Sequence, residues 1–233
     1  PINRWENEME LFDIVSGTKE KDDSIVLTVN SPGTEQNKQH YADIRIGIHW
    51  PTSRSPACFI AVSQKYTGSH EHGKSEPPTG QRQVIAEYIS ESIGMNPFYR
   101  QIVEFCKQTC CSRLYAILPE TRNEHGHLRD LEDYARKAEC GIYVHEANDE
   151  NDFFLSVSRI RDNIDNDSLV VPENTTLFDQ LSYISREDLL DSPEERFHCI
   201  DALGNVLDGF YRWPPRNYKL TTKRRPPPDW RYH

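Results

Sequence analysis

The chain has 233 residues, of which 36% are hydrophobic and 27% charged, and its formal net charge is −10. This length suffices for one large domain, or for one domain with an appendage, with a core of its own. The negative charge excludes a protein that coats nucleic acid with its whole surface, although a local basic groove is compatible with it. No stretch approaches the roughly 18 apolar residues of a membrane helix. We expect a cytoplasmic protein.

Three runs of residues in the first third of the chain predict consecutive β-strands. Residues 24–29 are rich in β-branched side chains, 41–48 alternate in polarity, and 57–63 are almost entirely apolar. The first two patterns are typical of strands, and the third is typical of a strand that is buried on both faces. We expect these strands to form an antiparallel meander.

Helical and strand patterns follow one another around this meander. The predicted elements are a helix over 4–16, helices over 81–93 and 97–110, a strand over 113–119, a helix over 128–138 and a strand over 140–145. Helices that alternate with strands favour parallel crossover units. The expected fold class is therefore α/β, with a mixed central sheet flanked by helices and a less regular C-terminal region.

The chain is less regular after residue 150, where we place a domain boundary. Helical patterns occur over 186–190 and 193–207, and 153–160 fits a strand or a helix. The tail over 219–233 is basic and proline-rich, and it fits either a docking segment for a partner or nucleic acid, or an end draped over the surface. We expect residues 1–150 to form the core and 151–233 to form a helical and irregular extension.

Two short motifs lie on the second and third predicted strands. Asp43 stands within the segment YADIR, and Lys65 ends the apolar segment FIAVSQK. Together with the order of predicted elements, these motifs resemble the PD-(D/E)XK superfamily, the restriction-endonuclease-like fold of many restriction and repair nucleases. The resemblance covers the first two thirds of the chain by topology and only two motifs by residue. It implies a metal-dependent nuclease, or a nuclease subunit, that acts on DNA.

The resemblance also implies a metal site that this sequence only partly provides. Mg²⁺ or Mn²⁺ requires carboxylate oxygens, and a nearby lysine orients water or stabilises charge in the transition state. Ser63 occupies the position of the expected Glu, and Gln64 should point to the opposite face of the strand. We expect Asp43 and Glu87 as metal ligands, with Glu91 as an alternative to Glu87 and Lys65 assisting. Acids of the first helix are a further source of ligands: Glu6, Glu8 and Glu10.

Other arrangements of these residues stay open. Asp43 can pair with the neighbours of Arg45 or face solvent, and Glu87 and Glu91 can line a solvated helix face. In that case the chain is a catalytically inactive nuclease-fold module that docks a partner protein through residues 151–233. A third hypothesis is a Rossmann-like sensor that binds a small ligand at strand ends. The first hypothesis places the chain in a larger DNA-bound complex, for which an antiviral defence setting is one possibility.

Several further residues have metal-binding chemistry. Two H-x-H pairs occur: His70 with His72, and His125 with His127. The cysteines Cys106, Cys110 and Cys111 are close in sequence, but their spacing gives no disulfide framework, and reduced thiols are the simpler interpretation. The sequence contains no GxGxxG, no GxxxxGK[ST] and no GxSxG, so we set aside dinucleotide enzymes, P-loop ATPases and standard serine hydrolases.

Overall fold

A mixed β-sheet with helices on both faces forms the centre of the fold. The computed structural model describes residues 13–19, 25–31, 34–52, 54–65, 81–90, 95–116, 125–147, 153–185, 187–190 and 196–212. Its strands are β1 (Asp13–Lys19), β2 (Ile25–Ser31), β3 (Thr34–His49), β4 (Ala57–Lys65), β5 (Arg82–Ser90), β6 (Arg113–Ala116), β7 (Tyr143–Glu146) and β8 (Leu169–Val170). Its helices are α1 (Met95–Thr109), α2 (His125–Lys137), α3 (Phe153–Asp165), α4 (Thr176–Tyr183) and α5 (His198–Arg212), with a short 3-10 helix over Glu187–Leu190. The predicted fold class is confirmed.

The long strand β3 organises the sheet. Strands β1 to β5 pair in sequence order as an antiparallel meander, and β8 pairs in parallel with β5. The first half of β3 pairs with β2, whereas its second half pairs in parallel with β6, which in turn pairs with β7. The carboxyl ends of β3, β6 and β7 therefore lie at the same edge of the sheet.

The side chains of β4 alternate between two hydrophobic cores, as expected of a central strand. Phe59 and Ala61 pack in the core beneath α1 and α2. Cys58, Ile60 and Val62 pack in the other core, which α3, α4 and α5 cover. Burial on both faces explains why this strand has an almost continuous apolar sequence. No helix in the described part of the chain is long and apolar enough to cross a membrane.

One helix prediction is wrong where the structure describes it, and the end of a second is also wrong. The predicted helix over 81–93 is the strand β5 where the structure describes it, and this strand pairs with β4 along its length. Its residues 84–88 are all buried, so the apolar run reflects burial on both faces rather than a helical stripe. The predicted helix over 4–16 lies mostly outside the described residues, but Asp13–Lys19 is a strand.

Residues beyond the predicted boundary at 150 contribute to the sheet and to its second core. Strand β8 extends the sheet beside β5, and α3, α4 and α5 supply most of the apolar side chains on that face. Helix α5 packs closely against strand β3, backbone against backbone. A Cβ atom added to Gly47 would overlap the backbone carbonyl of Ala202, and one added to Gly209 would press on the ring of Tyr115.

Gly47→Ala should destabilise the fold strongly, because the new methyl group meets backbone atoms that cannot rotate away. We expect the free energy of unfolding to fall by at least ~3 kcal/mol, the upper part of the usual overpacking range. Urea unfolding followed by circular dichroism measures it. The matched control is Gly141→Ala, whose Cβ would meet no atom within 4 Å. Equal stability of the two variants would contradict the close contact of α5 with β3.

Candidate functional site

Asp43, the first predicted metal ligand, is held in an ion pair. Its Oδ2 lies 2.9 Å from Nε and 2.7 Å from Nη2 of Arg45, and its Oδ1 lies 4.0 Å from Nη1 of Arg113. Arg45 is completely buried, and its Nη1 donates to the backbone carbonyl of Gly209. The guanidinium also lies over the rings of Tyr115 and Phe210, with its Cζ 5.6 and 4.4 Å from their centroids.

These partners leave Asp43 poorly suited to a cation. A buried guanidinium requires a compensating anion, and removing that anion would leave an unpaired charge in the core. A second cation, Arg113, lies 4.0 Å from the other carboxylate oxygen. Mg²⁺ requires hard oxygen ligands at about 2.0–2.1 Å, and here the carboxylate is surrounded by arginines instead. The residues around Asp43 therefore do not fit the predicted metal.

Glu87, the second predicted ligand, binds the first turn of α4. Its Oε1 accepts the backbone N–H of Thr176 at 2.9 Å, and its Oε2 accepts that of Leu177 at 2.8 Å. The first N–H groups of a helix have no partner within the helix, and an anion there also complements the helix dipole. The Thr175 hydroxyl accepts a third N–H, from Phe178. Both carboxylate oxygens of Glu87 thus bind N–H groups in the first turn of α4.

The two carboxylates also lie too far apart for one ion. Asp43 pairs with Gln64 across the β3–β4 ladder, and Glu87 pairs with Ile60 across the β4–β5 ladder. Gln64 and Ile60 are four positions apart on β4, which corresponds to about 13 Å along a strand. Two ligands of one Mg²⁺ cannot be separated by that distance.

The other predicted site residues do not join Asp43 among the described side chains. Ser63 pairs with Ile44, so it faces the opposite side of the sheet, and it is Gln64 that pairs with Asp43. The Ser63 hydroxyl is buried and has no hydrogen-bond partner in the described part of the chain. Lys65 ends β4, but its side chain lies outside the description, as does Glu91. The positions of these two side chains stay predictions.

The remaining metal-binding motifs give no site in the described residues. His70 and His72 lie outside them, and so do the side chains of His125 and His127, although α2 begins at His125. None of the six cysteines forms a disulfide, and burial raises the pKa of the Cys106 and Cys111 thiols. Within the described ranges no group of three or more His, Cys, Asp and Glu side chains is arranged to hold a metal ion.

A different polar cluster lies at the carboxyl end of β3. Nδ1 of His49, the last residue of this strand, lies 2.7 Å from Oδ2 of Asp201 on α5. Nε2 of the same ring lies 2.8 Å from Oγ of Ser55, in the turn between β3 and β4. His49 and Ser55 are only 6% and 5% exposed. In open α/β sheets, ligands bind outside the carboxyl ends of the strands, which is where this cluster lies.

When the His49 ring is neutral, the hydrogen bonds of the cluster run in one direction. A carboxylate can only accept, so Nδ1 of His49 carries the proton and donates it to Asp201. Nε2 of the neutral ring is then an acceptor, and the Ser55 hydroxyl donates to it. Ser55 has no second proton, so the Thr52 hydroxyl, 2.9 Å away, donates to Ser55 Oγ. The result is a directed chain from Thr52 through Ser55 and His49 to Asp201.

A second histidine lies beside this cluster. The rings of His198 and His49 have centroids 6.3 Å apart, and Nδ1 of His198 is buried with no hydrogen-bond partner among the described residues. The pKa of His198 is lowered to about 4, mainly by burial and in addition by the His49 ring when that ring is protonated, while Asp201 opposes the shift. Beneath them, the Sγ atoms of Cys58 and Cys199 are 3.6 Å apart. Burial raises the pKa of both thiols, which keeps them protonated.

This cluster was not predicted from the sequence. Standard serine hydrolases were set aside because no GxSxG is present, but a Ser–His–Asp arrangement is defined by geometry and has no fixed order in sequence. His49 and Asp201 are 152 positions apart. The available signal was weaker: a histidine directly at the end of an apolar strand, where α/β proteins place functional groups.

The comparisons with known proteins give only distant likenesses. No family model matches the chain, and no curated protein matches it. Among solved structures, it is similar to the large terminase nuclease of the thermophilic phage G20c with bound zinc, at 7% identity and a TM-score of 0.46, over 91% of this chain and 99% of that one. The human cytomegalovirus terminase nuclease domain, manganese-soaked and inhibitor-bound, gives 10% identity and a TM-score of 0.43, over 73% and 83%. Likeness at this level does not transfer a function to this chain.

Asp43→Asn should cost about 3–5 kcal/mol of stability, because it leaves the buried Arg45 guanidinium without its anion. Denaturant unfolding measures the loss, and Asp165→Asn, at an exposed position on α3, is the control. Thermal unfolding with added Mg²⁺ provides a further check. A metal ligand would give a Mg²⁺-dependent rise in melting temperature that Asp43→Asn abolishes, and such a rise would contradict the structural role.

Lowering the pH from about 6.5 to 4 should destabilise the wild type more than His198→Gln. The unfolded histidine takes up a proton near its ordinary pKa of 6.5, whereas the folded one does so only near 4. Between these values the unfolded state binds more protons, so stability falls as the pH falls. Melting temperatures of both proteins across this range test the prediction. If the melting temperatures of the two proteins change with pH in parallel, folding does not lower the pKa of His198.

Proposed function

We propose that the chain hydrolyses phosphodiester bonds of DNA, with its reaction centre at His49 and Asp201 rather than at Asp43. The observation that carries the proposal is the partly buried hydrogen bond between His49 and Asp201 at the carboxyl end of β3. An imidazole held by a carboxylate, with its second nitrogen free to exchange a proton, is the standard general base of hydrolytic enzymes. Asp43 and Glu87 lack this freedom because their oxygens are bonded to Arg45 and to α4.

The surroundings of Ser55 favour an anionic substrate over an acyl one. Acyl transfer requires N–H donors for the developing oxyanion. The N–H groups of Arg54 and Ser55 both donate to the Thr52 hydroxyl, at 3.1 and 3.0 Å, so they are not available for this purpose. The turn also carries Arg54, an exposed cation that precedes Ser55 in the sequence. Guanidinium groups bind phosphate oxygens well, which supports a phosphodiester as the substrate.

The net charge of −10 supports a role within a larger complex. A protein with this charge gains little affinity for DNA from its overall field, so a partner would supply most of it. Exposed large apolar side chains offer a surface for that partner. Among the residues that the structure describes, these side chains, apart from Tyr143, lie after residue 150: Phe154, Leu155, Ile164, Val170, Tyr183 and Tyr211.

The same apolar residues support a second candidate, the non-catalytic interaction module. In this function the fold binds a partner protein through residues 151–233, and the polar groups of β3 serve only to attach α5. The engagement of Asp43 and Glu87 in structural bonds is compatible with it. The two candidates differ in whether His49 and Asp201 react.

Nicking of supercoiled plasmid by the full chain distinguishes the candidates. His49→Gln and Asp201→Asn should reduce the nicking rate by about 10²–10⁴, the usual contribution of a general base. Asp43→Asn and Lys65→Ala should reduce it only as far as they reduce the folded fraction. Each protein is assayed with Mg²⁺, with Mn²⁺ and with chelator, which also tests the predicted divalent cation.

Circular dichroism melting provides the folded fraction of each variant, so that lost activity and lost fold are separated. Activity that depends on Asp43 and Lys65, but not on His49 or Asp201, would restore the site predicted from the sequence. A folded wild type that nicks no DNA under any condition, alone or with DNA-processing partners, would favour the interaction module.

A further inference from the structure

The turn between β3 and β4 places the Ser55 hydroxyl within hydrogen-bond distance of Nε2 of His49, the ring nitrogen that does not contact Asp201. We infer that Ser55 is the nucleophile of this site and forms a covalent phosphoserine intermediate, an inference that rests on the proposed function and deepens it. Ser55 Oγ lies 2.8 Å from His49 Nε2, and His49 Nδ1 lies 2.7 Å from Asp201 Oδ2. Both distances fall within the hydrogen-bond reach that a nucleophile, its base and an orienting acid require.

The turn fixes the serine in this position. The Thr52 N–H donates to the Ser55 carbonyl at 3.1 Å, and the Thr52 hydroxyl accepts the N–H of Ser55 at 3.0 Å. These reciprocal bonds close the turn and hold Ser55 between the ends of β3 and β4. The Thr52 hydroxyl also lies 2.9 Å from Ser55 Oγ. With the His49 ring neutral, Ser55 Oγ donates to His49 and accepts from Thr52.

Two of the three side chains, His49 and Asp201, come from regular elements of the fold. His49 ends a strand that is paired on both sides, and Asp201 lies in the first turn of α5. The Asn205 side chain, one turn further along α5, donates to the carbonyl of Ile48 at 3.0 Å. This bond fixes the helix against the backbone of β3 next to His49. Reactive groups held by regular elements retain their geometry better than groups held by loops.

The proposed reaction has two steps. In the first, Ser55 Oγ attacks phosphorus, its proton passes to Nε2 of His49, and the bond to the leaving nucleoside oxygen breaks as that oxygen takes the proton. In the second, water attacks the phosphoserine, gives a proton to His49, and the bond between phosphorus and Oγ breaks as Ser55 recovers the proton. Asp201 is a positioning residue that holds the ring and stabilises its charged form.

Labelling with a biotinylated fluorophosphonate tests the nucleophile directly. This probe needs only a reactive serine, so it does not depend on the identity of the natural substrate. The full chain should be modified at Ser55, as located by peptide mass spectrometry. Modification should disappear in Ser55→Ala and slow by about a hundredfold or more in His49→Gln and Asp201→Asn. Ser156→Ala, at another buried serine on α3, should be labelled like the wild type.

Two further measurements separate reactivity from structural effects. The labelling rate is measured against pH, and Asp201→Asn should move the midpoint of that profile, which a merely structural aspartate would not do. Ser55→Cys retains the size and position of the side chain if Ser55→Ala unfolds. Its thiol should react with iodoacetamide faster than the exposed Cys110, and equal or slower alkylation would contradict an activated position.

The outcomes distinguish failure of this inference from failure of the proposed function. Plasmid nicking that survives in Ser55→Ala but not in His49→Gln would overturn the serine nucleophile and leave the nuclease, with water as the attacking group. Labelling of Ser55 without nicking by the wild type would support the nucleophile and reject DNA as its substrate. A folded wild type that is neither labelled nor able to nick DNA would reject both proposals.

Discussion

The close contact between α5 and β3 accounts for the partners that Arg45 and His49 have on this helix. Gly47 allows the backbone of the helix to lie directly on the strand at Ala202, where any side chain would separate them. The side chains on either side of this contact, Arg45 and His49, cannot then reach solvent across the helix. Each therefore forms one of its hydrogen bonds with α5, because a buried polar group without a hydrogen bond costs free energy. Arg45 finds the carbonyl of Gly209, and His49 finds the carboxylate of Asp201.

The polarity of α5 matches these two partnerships. Asp201 lies in the first turn of the helix, where the unpaired N–H groups favour an anion. Gly209 is among the last four residues, whose carbonyls have no partner within the helix and favour a cation. The cation of Arg45 and the anion of Asp201 thus lie at the ends that the helix dipole stabilises. Reversing the direction of α5 would place both charges unfavourably, so the dipole contributes to the orientation of this helix on the sheet.

The sequence was sufficient for the fold class but not for the site. Strands β2, β3 and β4 were predictable because their β-branched, alternating and all-apolar patterns each reflect local burial. Strand β5 was not, because its residues 84–88 are buried on both faces and their apolar spacing fits a helix equally well. Ser63 and Lys65 were grouped with Asp43 by topology, whereas the pairing of Asp43 with Gln64 depends on the register of β3 against β4. Neither register nor the return of α5 to β3 is encoded in a local pattern.

The two polar clusters of β3 differ in what burial does to them. The Arg45 guanidinium does not give up its proton in a protein, so its pairing with Asp43 has one stable protonation state. Burial of that pair contributes specificity to the packing of α5, but it gives no route for chemistry. The chain from Ser55 through His49 to Asp201 instead contains an imidazole, a group that can both accept and release a proton. The hydrogen bond to Asp201 orients the His49 ring, which proton transfer requires. The proposed chemistry of this strand is therefore placed at its carboxyl end, whereas Asp43 pairs with the arginine that binds the end of α5.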